Sequence, residues 1–322
     1  MDNSVTRTAL WQQAQQGHFV GVKGVEIHYC IVKAAPQVPY RGAIVLCSGR
    51  IESYLKYWPL VQHLQQRGFD LYLWDHRGQG LSGRLLANRH IGHVHHFRDY
   101  VADMATFMRD YVNPANPPQR YLLAHSMGGA IAALYLQQYP NQFDRALLSS
   151  PMLGVQLPAP RWLIEPLLSL WHRLRPNGYA LGGHDYQDRP FADNDLSHDA
   201  EQYQQFRQLY QQTPQLQLGS PSVHWIRHAL ATCDTLSKVN IETPLQIALA
   251  GADSIVDNQA IRAFAQRGNH PLLEVAGARH ELLMEHDDYR QPLLNCLMAW
   301  FVAPDAHDDA TASADRPASV AH

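Results

Sequence analysis

Apolar residues along this chain fall into two rhythms that take turns. Short runs with almost no polar interruption occur at Gly42–Cys47, Phe69–Trp74, 120–124, 143–149, 244–250 and Leu272–Val275. Runs of that length suit strands buried on both faces of a sheet. Between them, the stretches 54–67, 97–112, 127–139, 258–267 and 287–302 carry the helical signal. The first of these stops at Gly68, a residue suited to ending a helix. Residues 18–33 alternate and turn around Lys23-Gly24, which predicts a hairpin. Strands alternating with helices predict an α/β domain with a mostly parallel central sheet and helices on both faces. Chemistry then gathers at the carboxyl ends of the strands, where Ser48, Asp75, Ser126 and the residues after Ala250 fall.

The alternation breaks at 151–225. Pro151, Pro158, Pro160, Pro166 and Pro176 punctuate its first part, and Gln202, Gln204, Gln205, Gln208, Gln211 and Gln212 its second. This predicts an inserted helical cap, 151–225, between core segments 15–150 and 226–302. The tail 303–322, rich in Ala and Asp, has the composition of a disordered segment. At 322 residues and 46% hydrophobic, the chain has the material for one large core with such an insertion. A formal net charge of -3 with 26 basic residues argues against a nucleic-acid partner. Cys30, Cys47, Cys233 and Cys296 are scattered, without the spacing of a disulfide framework or zinc site, and fit a reducing compartment. No signal peptide and no membrane-spanning run is visible, so the expectation is a cytoplasmic protein.

Candidate chemistry centres on residues 124–129, Ala-His-Ser-Met-Gly-Gly, between Tyr121-Leu122-Leu123 and a helical stretch starting at Ala130. A serine between strand and helix, with glycine two residues on, is the pattern of a nucleophile elbow; Ala124 replaces the usual first glycine. Acyl transfer by serine also needs a base for its proton and a carboxylate to orient that base. In the chain order serine, acid, histidine, Asp253 follows the strand ending at Ala250, and His280 lies on the loop after the last strand. Asp257 competes as acid but suits a helix N-cap, and His286 lies too far into the last helix. Two backbone amides are needed for the developing oxyanion. Met127 supplies one; Arg50, in the turn Ser48-Gly49-Arg50, supplies the other.

Two further patterns carry less. The loop Asp75-His-Arg-Gly-Gln-Gly lacks the lysine of a phosphate loop and opens no helix, so it reads as a support with Asp75 and Arg77 in polar networks. His90, His93, His95 and His96 have no cysteine or acidic partner at metal-ligand spacing, so no metal and no cofactor is expected.

Taken together, Ser48-Gly-Arg-Ile-Glu-Ser-Tyr54, Asp75-His-Arg-Gly-Gln-Gly80, Ser82-Gly-Arg-Leu-Leu86 and Ala124-His-Ser-Met-Gly-Gly129 resemble the bacterial inner-membrane lysophospholipases. Val256-Asp-Asn258 and His280-Glu281 match as well, and Ala124 fits that family's pattern. This family is close to the monoacylglycerol lipases of the α/β-hydrolase superfamily. The resemblance implies an α/β-hydrolase fold and a serine esterase acting on lysophospholipids, with Ser126 as nucleophile, Asp253 as acid, His280 as base, and Arg50 and Met127 as amide donors. Monoacylglycerol lipase, a broad carboxylesterase and a serine aminopeptidase are the alternatives on the same chemistry. The segment Arg161-Trp-Leu-Ile-Glu-Pro-Leu-Leu-Ser-Leu-Trp171, with Arg173 and Arg175 beside it, suits either a lipid-touching entrance or a packed cap helix. Peripheral contact with the inner membrane follows from the first.

Overall fold

The computed structural model describes residues 3–302 of the 322; the tail 303–322 lies outside the described residues. In chain order the elements are α1 (Asn3–Gln13), β1 (Gln15–Val20), β2 (Glu26–Val32), β3 (Gly42–Cys47), α2 (Trp58–Gln65), β4 (Phe69–Trp74) and α3 (Phe97–Phe107). They continue with β5 (Arg120–His125), α4 (Met127–Gln138), β6 (Arg145–Ser149), α5 (Arg161–Leu174), α6 (Ala200–Gln212) and α7 (Val223–Leu236). The last four are β7 (Leu245–Ala250), α8 (Asn258–Gly268), β8 (Leu272–Val275) and α9 (Asp287–Val302).

The strands form one sheet in the order β1-β2-β4-β3-β5-β6-β7-β8. The hairpin β1–β2 joins β4 in antiparallel register, and the sheet is parallel from β4 to β8. The chain steps from β3 outward to β4, then crosses back to β5 on the other side of β3. Connections therefore diverge at the carboxyl ends of β3 and β5, where such sheets open a crevice.

Each parallel strand feeds two layers through its alternate side chains. Val45, Leu122, Ala124 and Ile247 pack beneath α3, α4, α7 and α8. Ile44, Leu46, Leu123 and Ala250 pack beneath α1, α2 and α9. That double burial is why these strands are apolar at nearly every position.

The expected helices form, with local changes. The stretch 54–67 begins as a 3₁₀ turn at Tyr54–Tyr57 and becomes α2 where Pro59 occupies the first turn. Gly68 closes it at φ +90, with Pro39 O in the place a Cβ would take. The stretch 97–112 is α3 followed by a π-helical turn, Met108–Val112. Helix α1, which the sequence pattern does not signal, docks through Leu10. Between β6 and β7 the chain forms α5, α6 and α7. Trp225, Ala229, Cys233 and Leu236 of α7 enter the main core, whereas Tyr203, Phe206 and Tyr210 of α6 make a separate small cluster with Leu216. Among the described residues no helix is long and apolar enough to cross a membrane. All four cysteines are free.

Candidate active site

The turn from β5 to α4 forces Ser126 into φ 54, ψ -121, a region that non-glycine residues rarely occupy. Hydrogen bonds hold it there: its N–H donates to Ser149 O at 3.1 Å and its carbonyl accepts from Gly129 and Met152 N–H, both at 2.9 Å. A Cβ on Gly128 would lie 2.2 Å from Cys47 O and 2.4 Å from Ser48 O, so only glycine lets α4 abut the end of β3. The methyl of Ala124 is fully buried in the main core, and the elbow closes without a glycine there.

Ser126 Oγ lies 2.8 Å from His280 Nε2, and His280 Nδ1 lies 2.7 Å from Asp253 Oδ2. The three residues come from the ends of β5, β7 and β8, which are brought together only by the sheet. Asp253 Oδ1 accepts from the Ile255 and Val256 amides at 2.8 and 3.1 Å, which holds the carboxylate while Oδ2 faces the imidazole. Burial opposes the Asp253 charge, but the His280 hydrogen bond and charge and those two amides outweigh it, so its carboxyl sits below the ordinary range. With Nδ1–H donating to Asp253, Nε2 is left as the acceptor for the Ser126 hydroxyl. The competitors stand elsewhere: Asp257 caps α8 through Gln259 N–H at 2.8 Å, and the His286 side chain is half exposed beside Asp288.

The Gly49 N–H is taken by the Glu52 carboxylate. The next amide, that of Arg50, meets no acceptor among the described residues. The Met127 amide belongs to the first turn of α4, where amides have no intrahelical partner. These two donors and the positive end of α4 are placed to meet a negative charge beside Ser126.

The Asp75 loop braces this turn. Asp75 accepts from Ser53 Oγ, Tyr54 N–H and Leu81 N–H at 2.7–2.9 Å. Gln79 Nε2 donates to Gly49 O at 2.7 Å and Glu52 O at 2.9 Å. Arg77 forks onto Asp103 with two bonds of 2.6 Å, tying the loop to α3.

Sequence reasoning missed a buried ionic cluster under the site. Lys56 Nζ bridges Glu52 at 2.8 Å and Glu281 at 2.5 Å, and Tyr57 Oη donates to Glu52 at 2.5 Å. The signal was present as a Glu–Lys pair four residues apart and a Glu directly after His280. Glu285 was missed as well. It accepts from the Arg279, His198 and His286 amides and pins the His280 loop to the segment before α6. The grouped histidines do not converge on a point. His93 hydrogen-bonds Ser222 Oγ, meets His95 edge to face and lies tilted against His224. Among the described residues no three His, Cys, Asp or Glu side chains form a metal-ligand set.

With this geometry in place, likeness to known proteins becomes informative. The family model described as "Serine aminopeptidase, S33" matches residues 38–287. Lysophospholipase L2 of Escherichia coli (strain K12) is 36% identical over 307 residues, covering 91% of this chain and 89% of that protein. The probable lysophospholipase L2 of Haemophilus influenzae is 32% identical over 264 residues, covering 80% of this chain and 83% of the relative. A soluble variant of monoglyceride lipase from Saccharomyces cerevisiae, solved with a substrate analog, superposes with a TM-score of 0.69 at 19% identity. It covers 89% of this chain and 95% of its own, and at that identity it speaks for the α/β-hydrolase fold. The chain belongs to the serine aminopeptidase S33 family of α/β hydrolases, alongside the lysophospholipase L2 proteins.

Proposed function

We propose that the protein is a serine lysophospholipase, cleaving the acyl ester of a lysophospholipid into a fatty acid and a glycerophosphodiester. The observation that carries this reading is the unbroken Ser126–His280–Asp253 chain opening into a cavity of about 410 Å³. Ser126 Oγ attacks the ester carbonyl as its proton passes to His280 Nε2, while the Arg50 and Met127 amides take the charge forming on the carbonyl oxygen. Collapse expels the glycerophosphodiester alcohol, which takes the proton from His280. Water, deprotonated by His280, then attacks the acyl-enzyme and releases the fatty acid.

The cavity wall supports an acyl substrate. Met152, Val155, Leu196, Phe206, Leu218 and Ile255 all line it, and all but Ile255, which lies just past Asp253, fall between 151 and 225, the segment we read as the cap. The same segment exposes leucines on α5, which suits contact with a lipid surface. Monoacylglycerol lipase remains the second reading, because those apolar walls serve either lipid. An aminopeptidase needs a carboxylate inside the site to hold a substrate ammonium, whereas the buried Glu52 and Glu281 are both engaged by Lys56 and the other cavity carboxylates, Asp185, Asp193 and Asp195, are exposed.

Fatty-acid release from lysophosphatidylethanolamine and from a monoacylglycerol with the same acyl chain, with Ser126→Ala as blank, tests the proposal. Faster serine-dependent release from the phospholipid is expected. Preference for the monoacylglycerol would move the function to the neutral-lipid reading.

A further inference from the structure

Four cationic side chains other than histidine line the catalytic cavity: Arg50, Lys56, Arg189 and Arg207. Three are accounted for. Lys56 lies between Glu52 and Glu281, Arg207 pairs with Asp188, and Arg189 sits at the exposed rim. Arg50 makes no ion pair among the described residues. Its Nη2 donates to Gly219 O at 2.6 Å, its guanidinium lies 5.3 Å from the centre of the Trp225 ring, and its Nε is buried with no partner. The room for it is made by Gly92, where a Cβ would come within 2.7 Å of Nη2. Burial pulls the guanidinium down to about 10, with only Tyr100 acting against that pull.

A buried cation without a counter-charge is costly to hold, and a protein that keeps one beside its nucleophile gains if the substrate brings the anion. The guanidinium fork matches carboxylate and phosphate oxygens, and of the two a lysophospholipid brings the phosphate diester. In a lysophospholipid the scissile ester and the phosphate sit on one glycerol, a few bonds apart. Arg50 brings both of its groups to one cavity, its amide at the turn beside Ser126 and its guanidinium on the wall at Gly219 O and Trp225. We propose that the Arg50 guanidinium is the phosphate subsite of the catalytic cavity and the residue that sets lysophospholipid against monoacylglycerol. This rests on the lysophospholipase reading of the site.

The test measures kcat and KM of the full chain and of Arg50→Met on short-chain lysophosphatidylethanolamine and on the monoacylglycerol with the same acyl group. The ratio of kcat/KM values, phospholipid over neutral lipid, is expected to fall about 10- to 100-fold, mostly through KM, as for loss of a charge-assisted hydrogen bond. Arg50→Lys, which keeps the charge without the fork, should fall between the two; it also serves if the methionine variant does not fold. Equal losses on both substrates would mean that Arg50 only supports the turn, and the proposal fails. If the unaltered protein does not hydrolyse the phospholipid, the parent reading fails instead. Competitive inhibition of simple-ester hydrolysis by glycerol 3-phosphate, weakened in Arg50→Met, then still reports the subsite, and inhibition equal to that by inorganic phosphate marks a free-anion site rather than a headgroup site. No inhibition by either overturns it.

Discussion

At the scale of single residues, the site is built from backbone conformations that resist their own side chains. Ser126 (φ 54), Ile51 (φ 64) and Ser150 (φ 43) all lie in the left-handed half of the map, and all three flank the catalytic cavity or its elbow. Ile51 is β-branched, the type least tolerant of that region; Gln79 Oε1 accepts its N–H and Tyr210 Oη donates to its carbonyl. Such strain persists only where neighbours fix it, and it is worth roughly 1–3 kcal/mol per residue. A comparison of two variants that lack the Ser126 hydroxyl isolates it. Both Ser126→Ala and Ser126→Gly remove Oγ and its bond to His280, but only glycine removes the Cβ. Glycine also costs about 0.5–1 kcal/mol of unfolded-chain entropy, less than the upper range of strain released. Ser126→Gly should therefore melt higher than Ser126→Ala, by about 1 kcal/mol in chemical denaturation. A glycine variant less stable than the alanine variant would show that the elbow is not under strain.

Among the elements, α5 stands apart. Leu163, Leu167, Leu170 and Leu174 recur at four, three and four residues, share one face, and are 44–66% exposed. Trp162 at 73% extends that face, and Arg173 and Arg175 follow it in the last turn and just beyond. Arg161 is not free to join them, being held by Glu165 and Asp234. An apolar stripe next to arginines that make no ion pair among the described residues fits the interface of an anionic bilayer, where each leucine is worth about 1.5–3 kcal/mol on burial. The double variant Leu167→Glu, Leu170→Glu should lose sedimentation with phosphatidylglycerol-containing vesicles while still cleaving a soluble short-chain ester. Undiminished vesicle binding, or a dimer that the variant dissolves, would assign the stripe to another partner. This face also marks how far the sequence could be read. The strands and helices of the core were legible because each carries its period undiluted, and the order of Ser126, Asp253 and His280 along those strands pointed to three side chains that the fold brings together. α5 left its direction open, since apolar residues at helical spacing look the same packed or bare. α1 offered only Leu10 and Trp11 as anchors in a run with threonines and glutamines, too little to mark a helix. The Lys56 bridge escaped because its second carboxylate, Glu281, lies 225 residues away in the chain.

For the molecule as a whole, the histidines set the response to acid. His63, His76, His93, His125 and His228 are all pushed down to about 4, in each case first by burial. Neighbouring imidazoles add to the effect at His93 and His228, where the loop before α3 meets α5 and α7: His172 Nε2 lies 3.0 Å from His224 Nδ1, and the His224 and His228 rings are 4.4 Å apart. Between pH 6.5 and 4 the unfolded chain binds protons at these positions and the folded chain does not, so stability falls as pH drops through that window. A fall from 6.5 to about 4 at a fully buried group such as His76 or His125 is worth on the order of 3 kcal/mol, against a total of roughly 5–15. Asp75 works the other way. Burial raises it from 3.8 to about 6, so the folded chain takes up its proton first and gains stability over the lower part of the same window. One carboxyl offsets about one histidine, and the balance stays with the five. The melting temperature should thus be level from pH 8 to 7 and fall steeply between 6.5 and 4. Replacing His93 and His228 together by glutamine should flatten that fall, because it removes two of the groups that must be kept neutral at the joint of α5, α7 and the core. A melting temperature that holds from pH 7 to 5 would mean that these histidines accept protons without unfolding the chain.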